Sequence, residues 1–192
     1  MTMPGFSDRE LGVIRKRDAL TGIRGWYPDS RNGGLKGVYG KTWKPGPHRA
    51  ECEVLRHQHP LYEIPSRECW CGFWAGYSTE IMDGFHLGEK PVVGVVKGWG
   101  RIVSGERGFR AERAEITGLH LAYEYVRLKA FEEPVNSNWG NLNFSSDYEV
   151  AGAEGAAKLA EDEARLSEHF PDVPFYPSIP EMLKAHPIKR KK

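Results

Sequence analysis

No run of about 20 apolar residues, the length that a helix needs to cross a membrane, occurs in the 192-residue sequence. Residues 1–17 are polar and basic and contain no apolar segment typical of a signal peptide, so we expect no secretion signal. Cysteine is scarce, and an odd number of three does not form a disulfide framework. Together these features predict a cytoplasmic protein, in a reducing compartment, without a membrane partner.

An excess of either charge is also missing, because 27 Lys and Arg residues face 26 Asp and Glu residues. The total charge therefore does not indicate a nucleic-acid or membrane partner. The distribution is uneven, however. Residues 1–50 carry ten basic and four acidic side chains, whereas residues 147–181 carry two basic and nine acidic ones. Such segments can steer a partner or face each other, but solvated surfaces are the commoner case.

The residues that are abundant point to strands and turns. The sequence contains 22 Gly and 13 Pro, which together indicate many turns between short elements. Six Trp and eight Tyr suit strands better than a helical bundle. The chain is long enough to bury one core without disulfides. We predict one α+β fold with a β-rich central domain that contains hairpins, a Cys/His zinc staple and a C-terminal helix.

Four segments follow from composition and periodicity. Residues 1–20 show little periodicity and predict an N-terminal arm or a short helix. Residues 21–145 form the predicted β-rich domain. Residues 146–170 begin with capping-box spacing and continue as an Ala/Glu-rich run, which predicts a helix. Residues 171–192 are Pro-rich and end in four basic residues, so we expect a mobile basic tail.

The clearest local element is a β-hairpin over residues 92–116. Residues 92–103 are rich in β-branched side chains, a turn with two glycines follows, and residues 109–116 alternate between apolar and polar. Two short strands with a hairpin are expected over residues 22–43. Residues 119–127 also alternate, and their pattern is compatible with a strand or a helix.

The three cysteines and two histidines form the strongest chemical motif. Cys52, Cys69 and Cys71 fall within 20 positions, and His57 and His59 lie between them. Thiolates and imidazoles are the ligands that zinc prefers, four at a time in a tetrahedron. We therefore predict a structural zinc site formed by Cys52, Cys69, Cys71 and His59, with His57 as the alternative ligand. The other interpretation is three free thiols with solvated histidines.

A second group of candidates lies on the predicted hairpin. Arg110 and Glu112 share one face of a strand with two-residue alternation. They can bind an anion or form a cross-strand salt bridge, which is the commoner arrangement. With Arg113 and Trp99 they form a candidate anion-binding or partner-binding group. The sequence contains no nucleophile-elbow motif and no dinucleotide fingerprint, so we assign no catalytic residue.

Several motifs together resemble a family of uncharacterised small proteins of actinobacteria and their phages. These motifs are Gly22-x-Arg24-x-Trp26, Trp43-x-Pro45-Gly46, Ala50-x-Cys52, a His before Pro60, Cys69-x-Cys71-Gly72-Phe73-Trp74-Ala75, Gly94-x-Val96-x-Gly98-Trp99-Gly100-x-Ile102 and Gly108-Phe109-Arg110-Ala111-Glu112. The resemblance covers about residues 20–118. It implies a shared domain and an actinobacterial or phage origin, and it supplies no catalytic residue.

From these features we predict a non-enzymatic binding protein that modulates a host protein or a protein–nucleic-acid machine. Two alternatives stay open. The chain can bind nucleic acid directly through its basic N-terminal segment, exposed aromatic residues and tail. It can also be an enzyme that acts on a nucleotide-like anionic substrate, with Arg110 and Glu112 in the site.

Overall fold

The structure, a computed structural model, describes residues 10–29, 33–37, 41–52, 60–79, 92–121 and 153–191. Two short 3-10 helices occur there, at Lys16–Asp18 and Leu61–Glu63. The strands and α-helices of these ranges are β1 (Glu10–Ile14), β2 (Leu20–Pro28), β3 (Leu35–Lys36), β4 (Thr42–Trp43), β5 (His48–Arg49), β6 (Phe73–Gly76), β7 (Val92–Ser104), β8 (Gly108–Leu121), α1 (Ala153–His169) and α2 (Ile179–Ala185). The predicted α+β class with a β-rich centre is confirmed. No helix in the described ranges has the length and apolar character to cross a membrane.

The β7–β8 hairpin is the centre of the sheet. Its two long strands pair antiparallel from Val92↔Leu121 to Ser104↔Phe109, with two irregularities in register. The turn closes with a hydrogen bond from the Gly105 amide to the Gly108 carbonyl at 2.9 Å. The predicted hairpin is confirmed. It extends to Leu121, so this part of the ambiguous segment is a strand, while residues 122–127 lie outside the described ranges.

Four strands close into a ring around the core. β2 pairs with the first half of β7, and β6 joins β8 to β2 through the pair Ile23↔Gly76. Phe109 is fully buried. A Cβ atom added at Gly22 or Gly98 would lie 2.9 Å or 2.3 Å from its ring, so these glycines leave the space that Phe109 fills.

A small hairpin and an aromatic cluster cover one end of this ring. β3 pairs with β2 and with β4, which confirms the short strands predicted over residues 22–43. Trp43 lies 5.4 Å from Trp26 and 4.8 Å from Phe73 between ring centroids, edge to face in both cases. These contacts join β2, β4 and β6 and bring the chain around to the first cysteine.

The N-terminal prediction of an arm or short helix differs from the structure. Glu10–Ile14 form a strand that pairs with Gly100–Ser104 of β7, and only Lys16–Asp18 are helical. The strand has no clear alternation of its own, and Val13 is 84% exposed. Its position is set by backbone pairing with β7, a partner that local pattern does not reveal.

The helix and tail predictions have different outcomes. α1 lies within the predicted helix 146–170, and Leu166 of α1 and Phe170, which follows it, are buried. The capping box at residues 146–149 lies outside the described ranges. In the described part of residues 171–192, Met182 of α2 is buried with Ile23 and Val95, so this part packs on the sheet, and the expected mobility stays a prediction.

Backbone hydrogen bonds also tie the tail to the sheet. The Leu119 amide donates to the Pro174 carbonyl at 3.0 Å, and the Tyr176 amide donates to the Leu119 carbonyl at 2.8 Å. Further along, the Thr21 amide donates to the Lys189 carbonyl at 3.1 Å. These hydrogen bonds attach the tail first to β8 and then to β2, so the tail crosses the sheet.

Candidate metal centre

The three cysteines meet at one point of the fold. Cys52 follows β5, and Cys69 and Cys71 precede β6. Their Sγ atoms all lie within 4.8 Å of one another, and Cys52 and Cys69 are separated by 3.7 Å. Cys69 and Cys71 are buried, and Cys52 is half-buried. The clustering predicted from spacing is therefore present, and the three thiols can bind a metal ion.

The predicted site also includes one of two histidines as its fourth ligand. His57 and His59 lie outside the described residues, so the choice of a fourth ligand stays a prediction. Within the described ranges, the group with ligand geometry consists of the three cysteines. One further ligand would complete the tetrahedron that zinc adopts in structural sites.

Backbone geometry fixes the turn at the cysteines. Gly72 has φ +106°, a left-handed conformation that favours glycine. A Cβ atom at this position would lie 2.8 Å from the Pro65 Cβ and 3.3 Å from the Ala111 carbonyl oxygen. The amide of Ser66 also donates to the Cys71 Sγ at 3.4 Å. These contacts lead the chain from the cysteines directly into β6.

Arg110 stabilises the same turn through hydrogen bonds to its carbonyl oxygens. Its side chain is fully buried, and its guanidinium donates to the carbonyl oxygens of Cys69, Cys71 and Ser66, the last two at 3.0 and 2.9 Å. The guanidinium carbon also lies 5.0 Å from the centre of the Trp74 ring. Arg110 was predicted as an anion-binding or partner-binding residue, but the structure places it in the interior as a support for the cysteines.

Burial raises the pKa of the Cys71 thiol to about 12. The amide of Ser66 lowers this pKa, whereas the nearby Cys69 and Cys52 add to the increase. In the absence of a cation the Cys71 thiol therefore stays protonated at neutral pH. Binding of a metal at this point would release protons, because the thiolate is the form that ligates.

The other hairpin candidates lie elsewhere on β7 and β8. Glu112 Oε1 is 3.2 Å from an Arg49 Nη atom and 3.7 Å from the Arg113 Nε, which realises the salt-bridge alternative for Glu112. Trp99 is buried, with the Lys16 Nζ 4.9 Å from its ring centroid. Anion or partner binding by Glu112, Arg113 and Trp99 stays a prediction.

Two exposed aromatic residues, neither assigned to a site from the sequence, lie in the segment that contains Cys69 and Cys71. In the described ranges, the large apolar side chains that are exposed are Val13, Tyr62 at 73% and Trp70 at 37%. Tyr62 and Trp70 lie in residues 60–72, which we call the cysteine loop. The Trp74 indole donates to the Trp70 carbonyl at 2.8 Å, and an Arg101 Nη atom donates to the Tyr62 carbonyl at 3.0 Å. Their location in the sequence between Cys52 and Cys71 was the available signal.

Comparisons with protein-family models, with curated proteins and with solved structures give no match for this chain. The resemblance to small actinobacterial and phage proteins stays a prediction.

Proposed function

We propose that the chain is a non-enzymatic binding protein whose cysteine loop is held by a structural zinc ion. The observation that carries the proposal is the meeting of three Sγ atoms within 4.8 Å. Zinc fits this donor set because it accepts several thiolates in one tetrahedron. The hydrogen bond from the Ser66 amide to the Cys71 Sγ supports the same assignment, since it would stabilise a thiolate that ligates a metal.

The surroundings favour a structural ion over a catalytic one. Addition of His59, or of His57, to the three thiolates would fill the coordination sphere and leave no position for a substrate. The guanidinium of Arg110 is bound to three carbonyl oxygens of the cysteine loop. The ion and Arg110 would therefore act together on the shape of the loop.

The loop in turn presents Tyr62 and Trp70 to solvent. Tyrosine and tryptophan are enriched among the residues that dominate protein–protein affinity. A stapled loop holds them in place, so less conformational entropy is lost on binding. We propose that this pair contacts a host protein, alone or within a protein–nucleic-acid machine, in a reducing cytoplasm.

Affinity capture with matched variants tests the proposal. Full-length tagged protein is incubated with an actinobacterial lysate treated with nuclease, in parallel with a Tyr62→Ala/Trp70→Ala variant. Val13→Ala is the control because Val13 is also an exposed apolar residue but lies on β1. We expect one protein partner that the wild type and the Val13 variant retain and the double variant loses. Equal retention by all three proteins would refute the assignment of the loop as the interface.

A further inference from the structure

The structure brings together five basic side chains from three distant parts of the sequence. They are Lys16, Lys97, Lys189, Arg190 and Lys191, and we call them the basic patch. All five residues are exposed. We propose that the basic patch binds the phosphate backbone of a nucleic acid. This inference goes beyond the proposed function and does not depend on the metal centre.

The C-terminal part of the patch is held against the sheet. Lys189 accepts a backbone hydrogen bond from Thr21 at 3.1 Å. The guanidinium carbon of Arg190 lies 5.1 Å from the Tyr77 ring centroid. The Lys191 Nζ lies 3.4 Å from the position that a Cβ atom would take at Gly12. These contacts place three consecutive cations beside β2, the end of β6 and β1.

The other two cations lie on neighbouring strands. Lys97 of β7 is the cross-strand partner of Thr21, and the Thr21 amide in turn binds the Lys189 carbonyl of the tail. Its charge also acts on His186, just before the tail crosses β2. The Lys16 Nζ lies over Trp99 and 2.8 Å from Glu115, which is the cross-strand partner of Lys97. Lys16 of the patch is thus paired with a carboxylate.

A nucleic acid is the partner for which such an array gives appreciable affinity. Individual surface ion pairs with protein carboxylates contribute little free energy. Each contact with a phosphate of a nucleic acid also releases condensed counterions. The contributions of several separate cations to the binding free energy therefore add up. A lipid surface would call for apolar insertion beside the charges, and Val13 is a single such side chain on β1.

Fluorescence anisotropy on the full-length chain tests this inference. The probe is a labelled DNA duplex of about 20 base pairs, roughly two helical turns. Affinity is measured between about 50 and 200 mM salt, the range over which phosphate contacts weaken steeply. The test variant is Lys189→Ala/Lys191→Ala, which keeps Arg190 over Tyr77. Lys44→Ala/Arg49→Ala is the control, since both residues are exposed outside the patch and the cysteine loop, and the change in charge is the same.

We expect the wild type and the control to bind with the same salt dependence. The slope of log affinity against log salt should be less steep by about two in the test variant, because two phosphate contacts are lost. Lys97→Gln should reduce the slope by about one, and this second variant leaves the tail intact. An unchanged slope in both patch variants, or no binding by the wild type at low salt, would overturn the inference.

Two further measurements separate the alternatives. Preferential binding to phosphatidylserine vesicles, lost in the same patch variants, would show a lipid partner and overturn the nucleic-acid assignment. Protein from which metal has been removed should keep its affinity for DNA as long as circular dichroism shows an unchanged fold. A failure of the zinc proposal and a failure of the basic patch therefore give different results.

Discussion

The guanidinium of Arg110 donates a hydrogen bond of 3.0 Å to the carbonyl oxygen of Cys71, one of the three clustered cysteines. The same side chain reaches the carbonyls of Cys69 and Ser66. Arg110, a residue of β8 in the central hairpin, thus fixes the backbone of Cys69 and Cys71. This coupling makes the shape of the cysteine loop depend on the sheet as well as on the proposed zinc ion.

Replacement of Arg110 should therefore destabilise the protein. We expect Arg110→Met to lower the free energy of unfolding by about 3 kcal/mol, because buried carbonyl oxygens lose a charged donor. Arg110→Lys keeps the charge but lacks the planar guanidinium, so its free energy of unfolding should lie between those of the wild type and Arg110→Met. Urea unfolding measures the effect. Arg113→Met, an exposed residue on the same strand, should change stability by less than about 0.5 kcal/mol; equal effects of the two Met variants would contradict this role.

Metal content is expected to depend on every cysteine. Protein purified without added metal should carry about one zinc ion per chain, and Cys52→Ser, Cys69→Ser and Cys71→Ser should each reduce the occupancy strongly. Chelation should also lower the melting temperature of the wild type and leave the melting temperatures of the three variants nearly unchanged. Full occupancy in all three variants, measured by plasma mass spectrometry, would exclude the site.

The fourth ligand can be identified in the same way. We expect the zinc content to fall in His59→Asn, or in His57→Asn if that residue ligates instead. His48→Asn is the control, because the His48 Nε2 lies 2.7 Å from the Lys44 carbonyl oxygen. Loss of metal in one of the two test variants names the ligand, and retention in both shows that the fourth ligand is neither histidine.

Gly72 should tolerate no side chain. Gly72→Ala should be destabilising for two reasons. Alanine rarely adopts a φ of +106°, and its Cβ would lie too close to the Pro65 Cβ. Gly46 has φ +87° but open space around it, so Gly46→Ala reports the conformational cost alone. We expect Gly72→Ala to be more destabilising than Gly46→Ala by about 1–3 kcal/mol in urea unfolding. Equal costs would show that the turn at the cysteines can shift without penalty.

Features encoded by neighbouring residues were predictable from the sequence. The β7–β8 hairpin follows from a β-branched run and a turn with two glycines, both within residues 92–121. The clustering of the cysteines follows from their spacing and from the chemistry of thiol ligands. In both cases the decisive information lies within a short stretch of chain.

Features that depend on distant partners were not predictable. Arg110 on an alternating strand indicates a side chain that binds an anion or forms a cross-strand salt bridge, but its carbonyl acceptors lie 39 to 44 positions earlier in the chain. β1 is defined by β7, about 90 residues away. The tail has a composition typical of a mobile segment, and its docking depends on the apolar face that Ile23 and Val95 offer to Met182. Tertiary pairing overrides weak local signals in these three cases.

The docked tail makes a prediction about pH. Burial, followed by the charge of Lys97, lowers the pKa of His186 below its ordinary value of 6.5. His186 is packed against Gly118, and its Nε2 lies 3.0 Å from the Tyr176 hydroxyl. As the pH falls through about 6.5, the unfolded chain takes up this proton before the folded chain does. The free energy of unfolding should therefore decrease below this pH and be fully restored above it.

Denaturant unfolding between pH 5 and 7.5 checks this prediction, the range in which an ordinary histidine of pKa about 6.5 titrates. His186→Asn should flatten the dependence of stability on pH, because the group that titrates differently in the two states has been removed. His169→Asn, at the exposed end of α1, is the matched control and should leave the His186 contribution in place. If both variants keep the wild-type slope, folding does not lower the pKa of His186 and this prediction is wrong.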